Sequence, residues 1–164
     1  MEERDRERDL YFMTAALEEA DACAKRGEVP VGAVIVRENK ILVRCGNGRE
    51  QERDATAHAE LSAIRAACKI LGGWHLTGCE LFVTLEPCPM CAGAIVNARI
   101  PSVIIGAKDS KAGAFGSMID FNGLPLNHKP AITFGVMESE CAAVLTAFFR
   151  QRRAAGPRWK KKTV

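Results

Sequence analysis

The chain has 164 residues, 48% of them apolar and 6% aromatic, with 23 Lys plus Arg against 20 Asp plus Glu. A chain of this length is one domain that buries about 70% of the surface its unfolded form exposes, which excludes intrinsic disorder for most of it and any need for disulfide staples. The net charge of +3 conceals a division: residues 150–164 hold seven basic and no acidic residues, leaving 16 basic against 20 acidic before them. A body of about −4 joined to an end of about +7 predicts a polyanionic partner at the C-terminal end.

The opening residues 2–9 are a mixed-charge run and read as a frayed helix start. Met13, Ala16, Leu17, Ala20, Cys23 and Ala24 then recur at three- and four-residue spacing with charged residues opposite, and Gly27 follows, which predicts an amphipathic helix. Residues 31–36 are β-branched and apolar, 38–40 read as a turn and 41–45 resume the strand pattern, a hairpin signature. A polar loop at 46–56 precedes a helix at 58–71, which Gly72 and Gly73 end.

The rest of the chain alternates in the same manner. Strands are predicted at 81–85, 103–107 and 131–137, and helices at 88–98 and 138–153, the last with Cys141, Val144, Leu145 and Phe148 on its apolar face. Between them, residues 108–130 form a long loop rich in Gly, Ser and Asn, of the length that often carries function. Five strands interleaved with helices predict a three-layer α/β domain over residues 1–153, and Pro157 sets 154–164 apart as a flexible basic extension.

Seven cysteines are an odd number, and the chain opens without a basic-then-apolar leader, so a secreted disulfide framework is not expected. No apolar run approaches the roughly 20 residues that span a bilayer. The expectation is a soluble cytoplasmic protein. Cys23, Cys68 and Cys141 fall on helical apolar faces and are read as buried small hydrophobes, with Cys45 and Cys79 given the same reading. Trp74 is read as packing, and Asn47, between Gly46 and Gly48, first as a turn residue.

The chemistry is concentrated in two short runs, His58-Ala59-Glu60 and Pro87-Cys88-Pro89-Met90-Cys91, each opening a helix after an extended segment. Cysteines three apart share one face of a helical turn, the geometry with which two thiolates grip one tetrahedral zinc ion, and Pro89 suits the first helical position with Cys88 at the cap. His58 and Glu60, two apart, point about 200° away from each other on a regular helix, so their helix must approach end-on. His58 then ligates from the N-terminus while Glu60 reaches the position beside the metal. Three strong ligands and a neighbouring carboxylate describe a catalytic site, with one position left for water and Glu60 to move its protons. A closed structural site with Cys79 or His75 as fourth ligand is the alternative, and it leaves Glu60 without a purpose.

These two runs resemble the signature of zinc-dependent cytidine and adenosine deaminases. Further runs are similar to the bacterial tRNA adenosine deaminase subgroup: residues 28–34, Asp54-Ala55-Thr56-Ala57, Gly106-Ala107-Lys108-Asp109 with residues 113–117, Asn127-His128, and Glu140-Cys141-Ala142-Ala143 with residues 148–153. The resemblance implies a three-layer α/β/α cytidine deaminase-like fold with a central five-stranded mixed sheet. It implies hydrolytic deamination of adenosine to inosine at the wobble position of a tRNA anticodon, usually of an arginine tRNA, by a homodimer with one Zn2+ per subunit. His58, Cys88 and Cys91 would hold the zinc and Glu60 would shuttle protons. Asn47 and Val31 would contact the target nucleotide, and the Asp109 loop would lie along the RNA, with Asp109 accepting a hydrogen bond from a sugar hydroxyl.

Pro89 within the cysteine pair departs from some members, and guanine deaminases share the same spelling, so a free-base or nucleoside deaminase of guanine or cytosine type is the competing expectation. A non-catalytic zinc module that binds RNA is a third. Phe149, Arg150, Arg152 and Arg153 are the candidate RNA contacts, joined by Trp159 among Arg158 and Lys160 to Lys162. Cations neutralise phosphate there and an aromatic ring can stack on a splayed base of the anticodon stem-loop.

Overall fold

The computed structural model describes residues 3–156; of the expected extension at 154–164, residues 157–164 with Trp159 lie outside the described residues, while Ala154 and Ala155 continue the last helix. Helix α1 (Glu3–Arg26) begins within the mixed-charge run, whose residues 3–9 form its first turns. Its charges are anchored: the Arg8 guanidinium pairs with Glu80, meets Asp9 at 3.1 Å and lies 5.2 Å from the Phe12 ring centroid.

Strands β1 (Gly32–Arg37) and β2 (Lys40–Gly46) form the expected hairpin. Its two turn residues, Glu38 and Asn39, both have positive φ, 51° and 59°, as the twist of a two-residue hairpin loop requires. The polar segment that follows contains one helical turn, α2 (Arg49–Glu52), which sequence periodicity does not reveal. Its first amides are met by a distant side chain: Glu50 N–H donates to Glu28 at 3.2 Å and Gln51 N–H at 2.7 Å, and Glu28 is almost completely buried.

Helix α3 (Ala59–Leu71) ends at Gly72 in the left-handed region. Then come β3 (Cys79–Leu85), α4 (Pro89–Asn97), β4 (Ser102–Ala107), β5 (Ala131–Phe134) and α5 (Glu138–Ala155). The long loop before β5 holds a single 3-10 turn, Phe121–Gly123. Strand β5 stops three residues short of the predicted boundary because Gly135 (φ 88°) and Met137 (φ 55°) turn the chain into α5.

The sheet order is β2-β1-β3-β4-β5, with β1 antiparallel to β2 and β3, and β3, β4 and β5 parallel. This is the expected five-stranded mixed sheet. Alternate residues of each strand point to opposite faces, and each face has its own core. Ala33, Ile35, Leu81, Val83, Val103 and Ile105 meet α3 and α4 through Ala63, Ala67 and Ile95. On the other face, Val34, Val36, Phe82 and Ile104 meet α1 and α5 through Phe12, Met13, Ala16 and Cys141. Each fully buried Val, Ile, Leu or Phe contributes about 1.5–3 kcal/mol, so both layers of helices are held by burial rather than by helix propensity. The α/β/α layering follows.

Helix α1 approaches β1 so closely that a Cβ on Gly32 would stand 1.9 Å from the Ala16 carbonyl oxygen. All seven thiols are free. Cys23, Cys79 and Cys141 are buried, as read from the sequence, while Cys45 and Cys68 are half-buried against the α3 core. Trp74 differs from its reading: it is 62% exposed, stacked edge-on against His75 after the α3 stop rather than in the core.

Candidate active site

The site forms where the C-terminal ends of parallel β3 and β4 meet the N-termini of α3 and α4, the position at which parallel strands present ligands. His58 is the N-cap residue of α3 with an extended backbone (φ −78°, ψ 149°), and Cys88 is the N-cap of α4 (φ −72°, ψ 171°) with Pro89 in the first turn. The two capping positions therefore aim side chains outward from helix ends instead of along helix faces, which is the end-on approach that the spacing of His58 and Glu60 requires.

His58 Nδ1 lies 3.6 Å from Cys88 Sγ and 3.5 Å from Cys91 Sγ. The three ligand atoms all fall within 4.8 Å of one another, and among the described residues no other group of three His, Cys, Asp or Glu side chains meets that geometry. His75 is exposed and Cys79 belongs to the hydrophobic core, so neither supplies a fourth ligand. Two sulfurs and one imidazole nitrogen suit zinc, and a set of three leaves a coordination position open.

Charge within the cluster is divided unevenly. A hydrogen bond from Cys91 holds the Cys88 thiol down, to about 4. The same bond, together with burial, drives Cys91 far above the usual cysteine range, and the bond to Cys88 raises His58. Glu60 is 4% exposed, and burial pushes its carboxyl up to about 7. A carboxyl that changes protonation near neutrality can both accept and return a proton.

His58, Glu60 and Cys88 line a cavity of about 590 Å³ whose wall also includes Val31, Asn47, Asp109 and Phe149. Val31, Asn47 and Asp109, the three expected substrate contacts, thus face one space with Glu60. Asn47 is not a turn residue. It is buried, absent from the positive-φ positions, and fixed by its own N–H to Val31 O at 3.0 Å and by its side-chain amide to Val29 O at 3.3 Å. Asp109 Oδ1 accepts Lys111 N–H at 2.9 Å and Ala112 N–H at 3.2 Å, so its side chain shapes its own loop.

The four α5 candidates separate. Phe149 is on the cavity wall, and Arg150 and Arg153 are exposed beyond it. Arg152 is half-buried with its guanidinium 5.2 Å from the Phe148 ring centroid, a packing position.

Sequence reasoning missed Glu86 and the cations of the cavity wall, Arg49, Lys108 and Lys111. Burial alone would raise the Glu86 carboxyl, but hydrogen bonds from Ser117, Asp109 and Phe115 outweigh it and hold it below the ordinary glutamate range. An acidic residue directly after an apolar strand and before a Pro is the signal that could have singled it out.

A family model described as the cytidine and deoxycytidylate deaminase zinc-binding region matches residues 6–107. The tRNA-specific adenosine deaminase of Bacillus subtilis (strain 168) is 46% identical over 146 residues, 88% of this chain and 91% of its own. That of Agrobacterium fabrum (strain C58 / ATCC 33970) is 46% identical over 144 residues, 87% of this chain and 95% of its own. A solved structure from work on A-to-I editing by tRNA:A34 deaminases at the wobble position of transfer RNA superposes with a TM-score of 0.81 at 46% identity, covering 82% of this chain and 99% of that one. The guanine deaminase of Bacillus subtilis superposes at 0.58 with 28% identity over 100% of both chains. With its zinc-binding region and its likeness at this identity over more than four-fifths of its length, the chain belongs to the zinc-dependent deaminase family, among the tRNA-specific adenosine deaminases.

Proposed function

We propose that this protein hydrolyses adenosine to inosine at the wobble position of a tRNA anticodon, that of an arginine tRNA, and that it works as a cytoplasmic homodimer. The observation that carries the reading is the convergence of His58, Cys88 and Cys91, with His58, Cys88 and buried Glu60 on the wall of a cavity shared with Asn47 and Asp109, in a chain 46% identical to tRNA-specific adenosine deaminases. The arginine tRNA and the dimer rest on the family resemblance. Seven free thiols support a reducing compartment, and no helix among the described residues is long and apolar enough to cross a membrane.

His58, Cys88 and Cys91 are the zinc ligands of this reading. Zinc held there would supply the Lewis acidity that activates water for attack on the purine carbon bearing the amino group. Glu60 takes up the two protons of the attacking water in turn, passing the first to the ring nitrogen and the second to the amino group that leaves as ammonia, a role that its perturbed carboxyl and its place in the cavity suit. Asn47, held by Val29 and Val31, orients the base from one wall, and the loop carrying Asp109 closes the other.

A base inside an RNA must be splayed into such a cavity, and the cations beside it then neutralise phosphate. Arg49, Lys108 and Lys111 on the cavity wall, with exposed Arg150 and Arg153 beyond Phe149, favour a polyanionic substrate over a free base. Comparing ammonia release from an anticodon stem-loop, guanine and cytidine tests the reading. Turnover of the stem-loop alone supports it, whereas preference for guanine or cytidine assigns the chain to a small-substrate deaminase.

A further inference from the structure

Glu86 is 2% exposed and stands at the end of β3, two residues before Cys88. Among the described residues no basic side chain pairs with its carboxylate, which is met instead by the loop that follows β4. Oε2 accepts Asp109 N–H at 3.0 Å and the Ser117 hydroxyl. Oε1 accepts Phe115 N–H at 3.0 Å and Ser117 N–H at 3.2 Å. One side chain thus gathers three separated positions of a segment without regular structure, a burial of charge that only a complete set of donors makes tolerable.

The fit admits no slack. A Cβ on Gly113 would stand 2.4 Å from the Glu86 carboxyl carbon and 2.5 Å from Asp109 O, so the loop closes over the carboxylate through the one residue type without a side chain. Beside it, Ala114 N–H donates to Pro87 O at 2.9 Å. The inner side of the loop is therefore locked to the 86–87 segment, while its outer residues, Asp109 to Ala112, line the cavity.

We propose that Glu86 is a positioning residue of the deamination: its buried carboxylate holds the 109–117 loop, the substrate-facing wall, in register with the strand end that carries Cys88. The proposal rests on the reading of the site as an RNA deaminase. A glutamine in its place keeps the shape but turns one acceptor of two hydrogen bonds into a donor facing two donors. The loop then loses its anchor while zinc ligands, Glu60 and basic groups remain. Misplacement of a contacting element by about 1 Å costs on the order of 100-fold in rate. The cost falls on kcat more than on KM, because electrostatic attraction of RNA does not depend on the loop's exact place.

The test compares wild type, Glu86→Gln and Ser117→Ala as zinc-loaded full chains. Hydrogen exchange of the Asp109, Phe115 and Ser117 amides is measured alongside zinc content and steady-state kinetics on an anticodon stem-loop. The expected result is faster exchange confined to those amides, retained zinc, and kcat reduced on the order of 100-fold in Glu86→Gln, with a smaller change of the same kind in Ser117→Ala. If Glu86→Gln does not fold, Ser117→Ala carries the same test alone. Wild-type exchange and kcat, or loss of zinc with exchange raised throughout the domain, overturns the inference. A wild-type protein inert on the stem-loop overturns the functional reading instead, and the exchange measurement still decides whether Glu86 holds the loop.

Discussion

His58 Nδ1 and Cys88 Sγ lie 3.6 Å apart although each begins a different helix. Neither is on a helix face; both are capping residues whose extended backbone lets the side chain leave along the helix axis. The relationship makes the cluster a property of two helix starts, and the helices themselves are fixed by a shared core containing Ala63, Ala67, Ala92 and Ile95.

Replacing Cys91 with Ala removes one of three ligands and is expected to abolish stoichiometric zinc binding, and a chelator should silence the wild type until zinc is restored. In the metal-free protein the hydrogen bond between Cys88 and Cys91 lowers the one thiol and raises the other, so the pair retains a proton near neutrality. Ligation must release that proton, so apparent zinc affinity should rise about tenfold per pH unit for each proton lost. Chelator competition between about pH 6 and 8 measures the slope, and a pH-independent affinity contradicts the assignment.

Gly32→Ala tests the contact between α1 and the sheet. The new Cβ meets the backbone oxygen of Ala16, which cannot turn aside as a side-chain end would, so the helix must shift. A loss of about 1–3 kcal/mol or more is expected, read as a lowered unfolding midpoint in thermal or denaturant melts of the zinc-loaded protein. An unchanged midpoint would show that α1 is free to move.

Arg150→Ala with Arg153→Ala should raise KM for the stem-loop and flatten its dependence on salt. Each lost phosphate contact reduces the log–log slope by about 0.7 to 0.9. Arg152→Ala should instead lower stability, because its guanidinium packs on Phe148. An equal effect of all three on the salt slope contradicts the division of roles on α5.

The zinc cluster was fully legible because each of its residues is tied to a helix start, and helix starts have local signatures such as Pro89 after Cys88. Strand and helix order was legible from periodicity, and the two-faced core followed from alternation. What escaped notice depends on distant partners. The α2 turn is organised by Glu28, more than twenty residues away, and Arg8, within the mixed-charge run, is held by Glu80. Asn47 reads as a turn residue until the burial of its segment against Val29 and Val31 is seen. Glu86 carries a local signal, an acid between an apolar strand and a Pro, but its role depends on four donors that arrive from a loop more than twenty residues away.

Glu60 carries the central claim. Incubating total tRNA with the zinc-loaded protein and sequencing the products should reveal A-to-I conversion at a single wobble position. Glu60→Ala should reduce that conversion by on the order of 100- to 10,000-fold while zinc content is unchanged. Conversion undiminished in Glu60→Ala, or none by the wild type, would contradict the account.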